Sequence, residues 1–132
     1  MDQIPLVTEQ IEAGRKVVER LVENGIAVTA AGWVKESDGW QWHLYLVTPL
    51  VGEDGATTPA YRRILAVLRT GPPPEIDPFL IKVVGPTKPL GQAILDAQRH
   101  GSRLWGGYGG TSLGGMSVDG AYVYPTLVTA GS

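Results

Sequence analysis

The sequence predicts an α+β domain with about three helices in a single layer on a mostly antiparallel sheet, in the order α-β-β-α-β-α-β-β. Three observations carry this. Three segments have apolar residues at helical spacing, and each is closed by glycine or proline. Two pairs of strand-like segments are joined by turns too short for anything but antiparallel neighbours. The 132 residues, 43% of them hydrophobic and 18% charged, are enough to bury one core without staples.

The first helix spans residues 8–24. Ile11, Val17, Val18, Leu21 and Val22 make one stripe, Thr8 suits the N-cap, and Asn24-Gly25 suits the stop. Residues 26–35 and 40–48 follow as strands around the polar turn 36–39. In the second, Trp40, Trp42, Leu44 and Leu46 point one way, and Gln41, His43, Tyr45 and Val47 the other. After the Asp54-Gly55 turn, Thr58-Pro59 opens a second helix that buries Tyr61, Ile64, Leu65 and Leu68. Gly71 and Pro72-Pro73-Pro74 end it. Residues 79–84 read as a buried strand. Residues 87–100 read as a third helix, with Leu90, Ile94 and Ala97 inward and Gly101 as its stop.

Residues 101–120 hold eight of the eighteen glycines and cannot form a regular helix. Asp119-Gly120, between Met116-Ser117-Val118 and Ala121-Tyr122-Val123-Tyr124, has the composition of a two-residue hairpin turn with Gly120 at positive φ. No repeat or linker divides the chain, so residues 1–132 are expected to be one domain with flexible tails at 1–7 and 126–132.

Composition excludes several function classes. With no cysteine there is no disulfide, thiolate metal site or cysteine nucleophile, which suits a reducing, cytoplasmic setting. No signal peptide is visible in the first residues, and the longest mainly apolar stretch is too short for a bilayer. No His-x-His, His-Glu-x-x-His or clustered carboxylates suggest a metal, and no cofactor motif is present. Asp96 and His100 stand four apart on a helix, the spacing of an oriented imidazole, but also what a helix C-terminus favours with no nucleophile in view. A nuclease-type metal pair is missing, because Lys82 stands alone in an apolar strand. The chain thus reads as non-enzymatic.

Three functional readings remain. The first is an interaction module that docks a protein partner or self-associates as a homodimer. If all helices cover the Trp42 face, the opposite face presents His43 and Tyr45, joined by Tyr122 if the last strand has the right register. The second is a small-ligand or nucleotide binder, or a small enzyme, using the glycine stretch 106–115 with Arg103, Tyr108 and Thr111. The missing lysine and the strand pattern that follows both argue against a phosphate loop. The third is nucleic-acid association: residues 55–118 carry a net +4, against −5 for residues 1–54.

The ending Ser112-Leu113-Gly114-Gly115, then Val118-Asp119-Gly120-Ala121-Tyr122-Val123-Tyr124-Pro125, resembles a group of small uncharacterised bacterial proteins. Ala60-Tyr61-Arg62-Arg63 and the segment from Trp33 are similar to the same group. The resemblance implies a bacterial cytoplasmic protein and carries no activity, cofactor or site residue.

Overall fold

The computed structural model describes residues 8–39, 41–52, 54–100 and 104–125, with backbone alone over 104–111. Trp40, Arg103 and both expected tails lie outside the described residues, as do the side chains of Tyr108 and Thr111. The elements are α1 (Thr8–Glu23), β1 (Ala30–Glu36), β2 (His43–Val47), α2 (Thr58–Arg69), β3 (Ile81–Val84), α3 (Pro89–Arg99), β4 (Leu104–Leu113) and β5 (Met116–Val123). A short 3₁₀ turn, Pro78–Leu80, precedes β3. The expected class and element order hold. No helix is long and apolar enough to cross a membrane among the described residues.

The helices end where the local chemistry stops them. Ile26 N–H donates to Leu21 O and Gly25 N–H to Val22 O, a Schellman closure of α1 with Gly25 at φ 86°. Proline opens α2 and α3, where its missing N–H costs nothing. The buried stripe of α2 is Ala60, Ile64 and Leu68, with Tyr61 and Leu65 at its margin.

The sheet runs β3-β2-β1-β5-β4 and is antiparallel except between β2 and β3. Parallel neighbours cannot be joined by a tight turn, so α2 makes the crossover. Alternation along β1 then splits the core in two. Ala31 and Trp33 join Leu44, Leu46, Ile81 and Tyr124 beneath α1 and α2. Ala30 and Val34 join Tyr45, Val47, Val118 and Val123 beneath Ile94 of α3.

Two of the three helices therefore share a face, and α3 takes the other. The cause is topological: α3 connects β3 at one edge to β4 at the opposite edge, and so crosses the sheet. The face expected to stand uncovered has Val47, Val118 and Val123 to bury, and the chain buries them itself.

The late hairpin turns at Gly114-Gly115, not at Asp119-Gly120. Leu113 pairs with Met116, and both central glycines have positive φ, 59° and 85°, as a type I′ turn requires. Asp119 and Gly120 lie inside β5. Lys35 pairs with Gly120 and Glu36 with Val118, so Asp119 is the extra residue of a bulge. Its carboxylate meets the buried Lys35 ammonium at 3.0 Å, which is why the acidic residue belongs in the strand. Gly114 is doubly required, since a Cβ there would sit 2.6 Å from Leu90 Cα and Pro89 O, whereas one at Gly115 would meet open space. Gly114→Ala should cost about 2–3 kcal/mol, and Gly115→Asn less than about 1 kcal/mol. Urea midpoints of the two variants check this.

One contact ties α1 to the sheet. The Tyr124 hydroxyl donates to Ile11 O at 2.6 Å and accepts from Trp33 Nε1 at 2.9 Å. Gly14 lets the helix come this close, because a Cβ there would overlap the Tyr124 hydroxyl and lie 2.8 Å from Trp33 Nε1. Gly14→Ala should cost about 1–3 kcal/mol by overpacking. Tyr124→Phe should cost a similar amount (about 1–3 kcal/mol) by orphaning the indole N–H. In a double-mutant cycle the Gly14→Ala cost should shrink when the hydroxyl is absent; strict additivity would show that they do not meet.

Candidate functional site

Four chemistry-bearing side chains meet where β1, β2 and β3 lie side by side. Glu36, His43, Tyr45 and Lys82 share the face that α3 covers, because strand alternation and the Tyr45↔Lys82 register put them there. The Tyr45 hydroxyl donates to Glu36 Oε2 at 2.6 Å. Lys82 Nζ lies 3.6 Å from the same oxygen and 5.9 Å from the Tyr45 ring centroid. His43 Nδ1 is buried with no hydrogen-bond partner among the described residues.

The electrostatics hold each group in its resting form. The Tyr45 hydrogen bond, helped by Lys82, keeps the Glu36 carboxyl below the usual carboxylate range. Burial, with the proton held toward Glu36, pushes the Tyr45 phenol well above the usual tyrosine range. Burial and then the Lys82 charge lower His43, more than Glu36 raises it. A neutral imidazole with its proton on Nε2 leaves only a lone pair at the orphaned Nδ1, the cheaper atom to strand. Nucleophilic or base chemistry would need a tyrosine pushed down, not up. Two potential ligands beside an ammonium make a poor cation site, and no cluster of three metal-ligating side chains occurs among the described residues.

The sequence-derived candidates are thus dispersed. His43 and Tyr45 do share a face, but Tyr45 is 7% exposed under the chain's own α3 cluster rather than waiting for cover. Tyr122 pairs with Trp33 and stacks edge-on against Tyr124, 5.3 Å between centroids, on the other side of the sheet. The glycines 106–110 and Thr111 belong to strand β4, whose register against β5 shifts between Gly106 and Thr111. His100 Nδ1 meets the backbone oxygen of Asp96, whose carboxylate instead faces Arg99 at 3.5 Å. Nor do the basic residues form one stripe: Arg62, Arg63 and Arg69 are on α2, Arg99 is on α3 across the sheet, and Lys82 pairs with Glu36. Pattern reading missed Glu36 and Lys82 as partners, because their meeting depends on the β2–β3 pairing.

Another surface had no single-residue signal. A groove of about 200 Å³ separates α1 from the loop after α2, lined by Ala13, Lys16, Val17 and Arg20 against Pro72–Pro74 and Glu75. Arg20 builds it, donating to Pro72 O at 2.7 Å and Leu68 O at 3.0 Å while capping the C-terminus of α2. Four positions past Glu75 in the chain, Phe79 is 91% exposed, the one exposed large hydrophobic among the described residues. Its turn is braced: Asp77 accepts from Phe79 N–H, and Ile81 N–H donates to Pro78 O.

Comparisons with protein-family models, with curated proteins and with solved structures find no match to this chain.

His43 gives a signed pH dependence. Its folded pKa lies below its unfolded value near 6.5, so the unfolded chain binds more protons as the pH drops. Its stabilising effect is present above the unfolded value and is lost as the pH falls through the depressed folded one. Glu36, held low, stays charged in the folded chain through that window, and its own contribution begins to be lost only as the pH nears the ordinary glutamate value. Urea midpoints should fall between pH 7 and 5 in the native chain, with a flatter profile for His43→Gln; equal slopes would refute the assignment.

Proposed function

We propose that the protein is a non-enzymatic interaction module of the bacterial cytoplasm that docks a protein partner through the α1–proline-loop surface. The exposed Phe79 ring on a braced turn carries this reading. Nothing in the core needs that ring: both faces of the sheet are already covered by helices. A lone exposed apolar side chain is common, but an aromatic on a braced turn a few positions past a groove wall has the form of an interface anchor. The lack of cysteine and the resemblance of the C-terminal motif support the compartment.

The glycine stretch supports a small-ligand reading less well. As a strand followed by a hairpin it offers no helix N-terminus for a phosphate.

The test puts a photoreactive benzoylphenylalanine at position 79 and irradiates cells expressing the protein. Discrete adducts are expected, and they should disappear when Pro73→Glu places a charge in the groove. Phe79→Ser should change stability by less than about 0.5 kcal/mol. Recovery of uncross-linked chain alone would overturn the reading.

A further inference from the structure

We infer that the partner on this surface is a second copy of the chain, each copy placing Phe79 in the groove of the other; this rests on the docking reading above. The first argument is capacity. About 200 Å³ falls below the roughly 300–1,000 Å³ of small-molecule pockets and suits a single side chain. The second is chemistry. Pro72–Pro74, Ala13, Val17 and the long side chains of Lys16 and Arg20 line it, a mostly apolar slot that suits a flat apolar ring.

The third argument is placement. Phe79 stands four positions after Glu75, on the groove wall, so their Cα atoms lie within about 14 Å of each other. Ile76 is buried between them and the turn at Pro78–Leu80 is braced, so the ring is held away from its own groove. Slot and ring then lie on one patch of one chain, and a two-fold axis between copies satisfies both at once.

The charges at the rim agree. Lys16 Nζ and Glu75 Oε2 stand 3.8 Å apart at the groove, both well exposed. Across a two-fold axis the same pair can exchange partners without bringing like charges together. The contact is small and belongs to the transient class of interfaces.

Sedimentation equilibrium over a wide concentration range tests the inference on the full chain. The native protein should show a reversible monomer–dimer equilibrium. Phe79→Ser and Pro73→Glu should each weaken it at least tenfold, with urea midpoints confirming that both variants fold. Mixing the two variants should restore part of the association, because one intact groove then faces one intact ring. A dimer indifferent to both substitutions overturns the inference. A native monomer whose position-79 probe captures a different protein overturns it too, while leaving the docking reading intact. A monomer with no cross-link removes both.

Discussion

The closeness of α1 to the sheet governs the architecture, and it is set by three atoms meeting where a fourth is missing. The Tyr124 hydroxyl sits between the Trp33 indole and the Ile11 carbonyl, and it fits because residue 14 has no side chain. A buried indole N–H and a buried phenol each need a partner, and here each satisfies the other. The helix is thereby fixed in depth as well as direction. Leu21, Val17 and Val18 can then fill the space over β1, and Arg20 can reach the carbonyls at the end of α2.

Local chemistry made much of the fold legible. Proline and glycine marked the helix ends, and period-two alternation assigned Leu44 and Leu46 to one face and Tyr45 and Val47 to the other. What stayed hidden depended on pairs of elements distant in sequence. A strand pattern does not say which side of the sheet the next helix crosses, and the position of α3 follows only from the order β3-β2-β1-β5-β4. The face of His43 and Tyr45 was read correctly, but its exposure was not. Asp119-Gly120 has ideal turn composition, yet Gly114-Gly115 satisfies the same rule. The choice falls to Lys35, 84 positions away, which needs the carboxylate inside the strand.

The C-terminal motif can now be read by its work. Gly114 and Gly115 turn the chain and Asp119 neutralises a buried lysine. Tyr124 anchors α1, while Ala121 and Val123 line the α3 core. These are duties of folding rather than chemistry. On this chain the surface that differs from an ordinary helical exterior is built from the proline loop and Phe79, outside the motif.

The central strand has an unusual history implied by its neighbours. β1 pairs on one side with β2, a few residues later, and on the other with β5, near the end of the described chain. The Trp33–Tyr124 bond closes a separation of 91 residues. During synthesis, one edge of β1 must wait until β5, which begins at Met116, has left the ribosome before it is paired. Contacts this distant are slow to form, and the waiting edge is open to wrong partners. A shortened chain ending before residue 116 would lose both β5 and the Tyr124 anchor of α1, and would display its innermost strand to the cell.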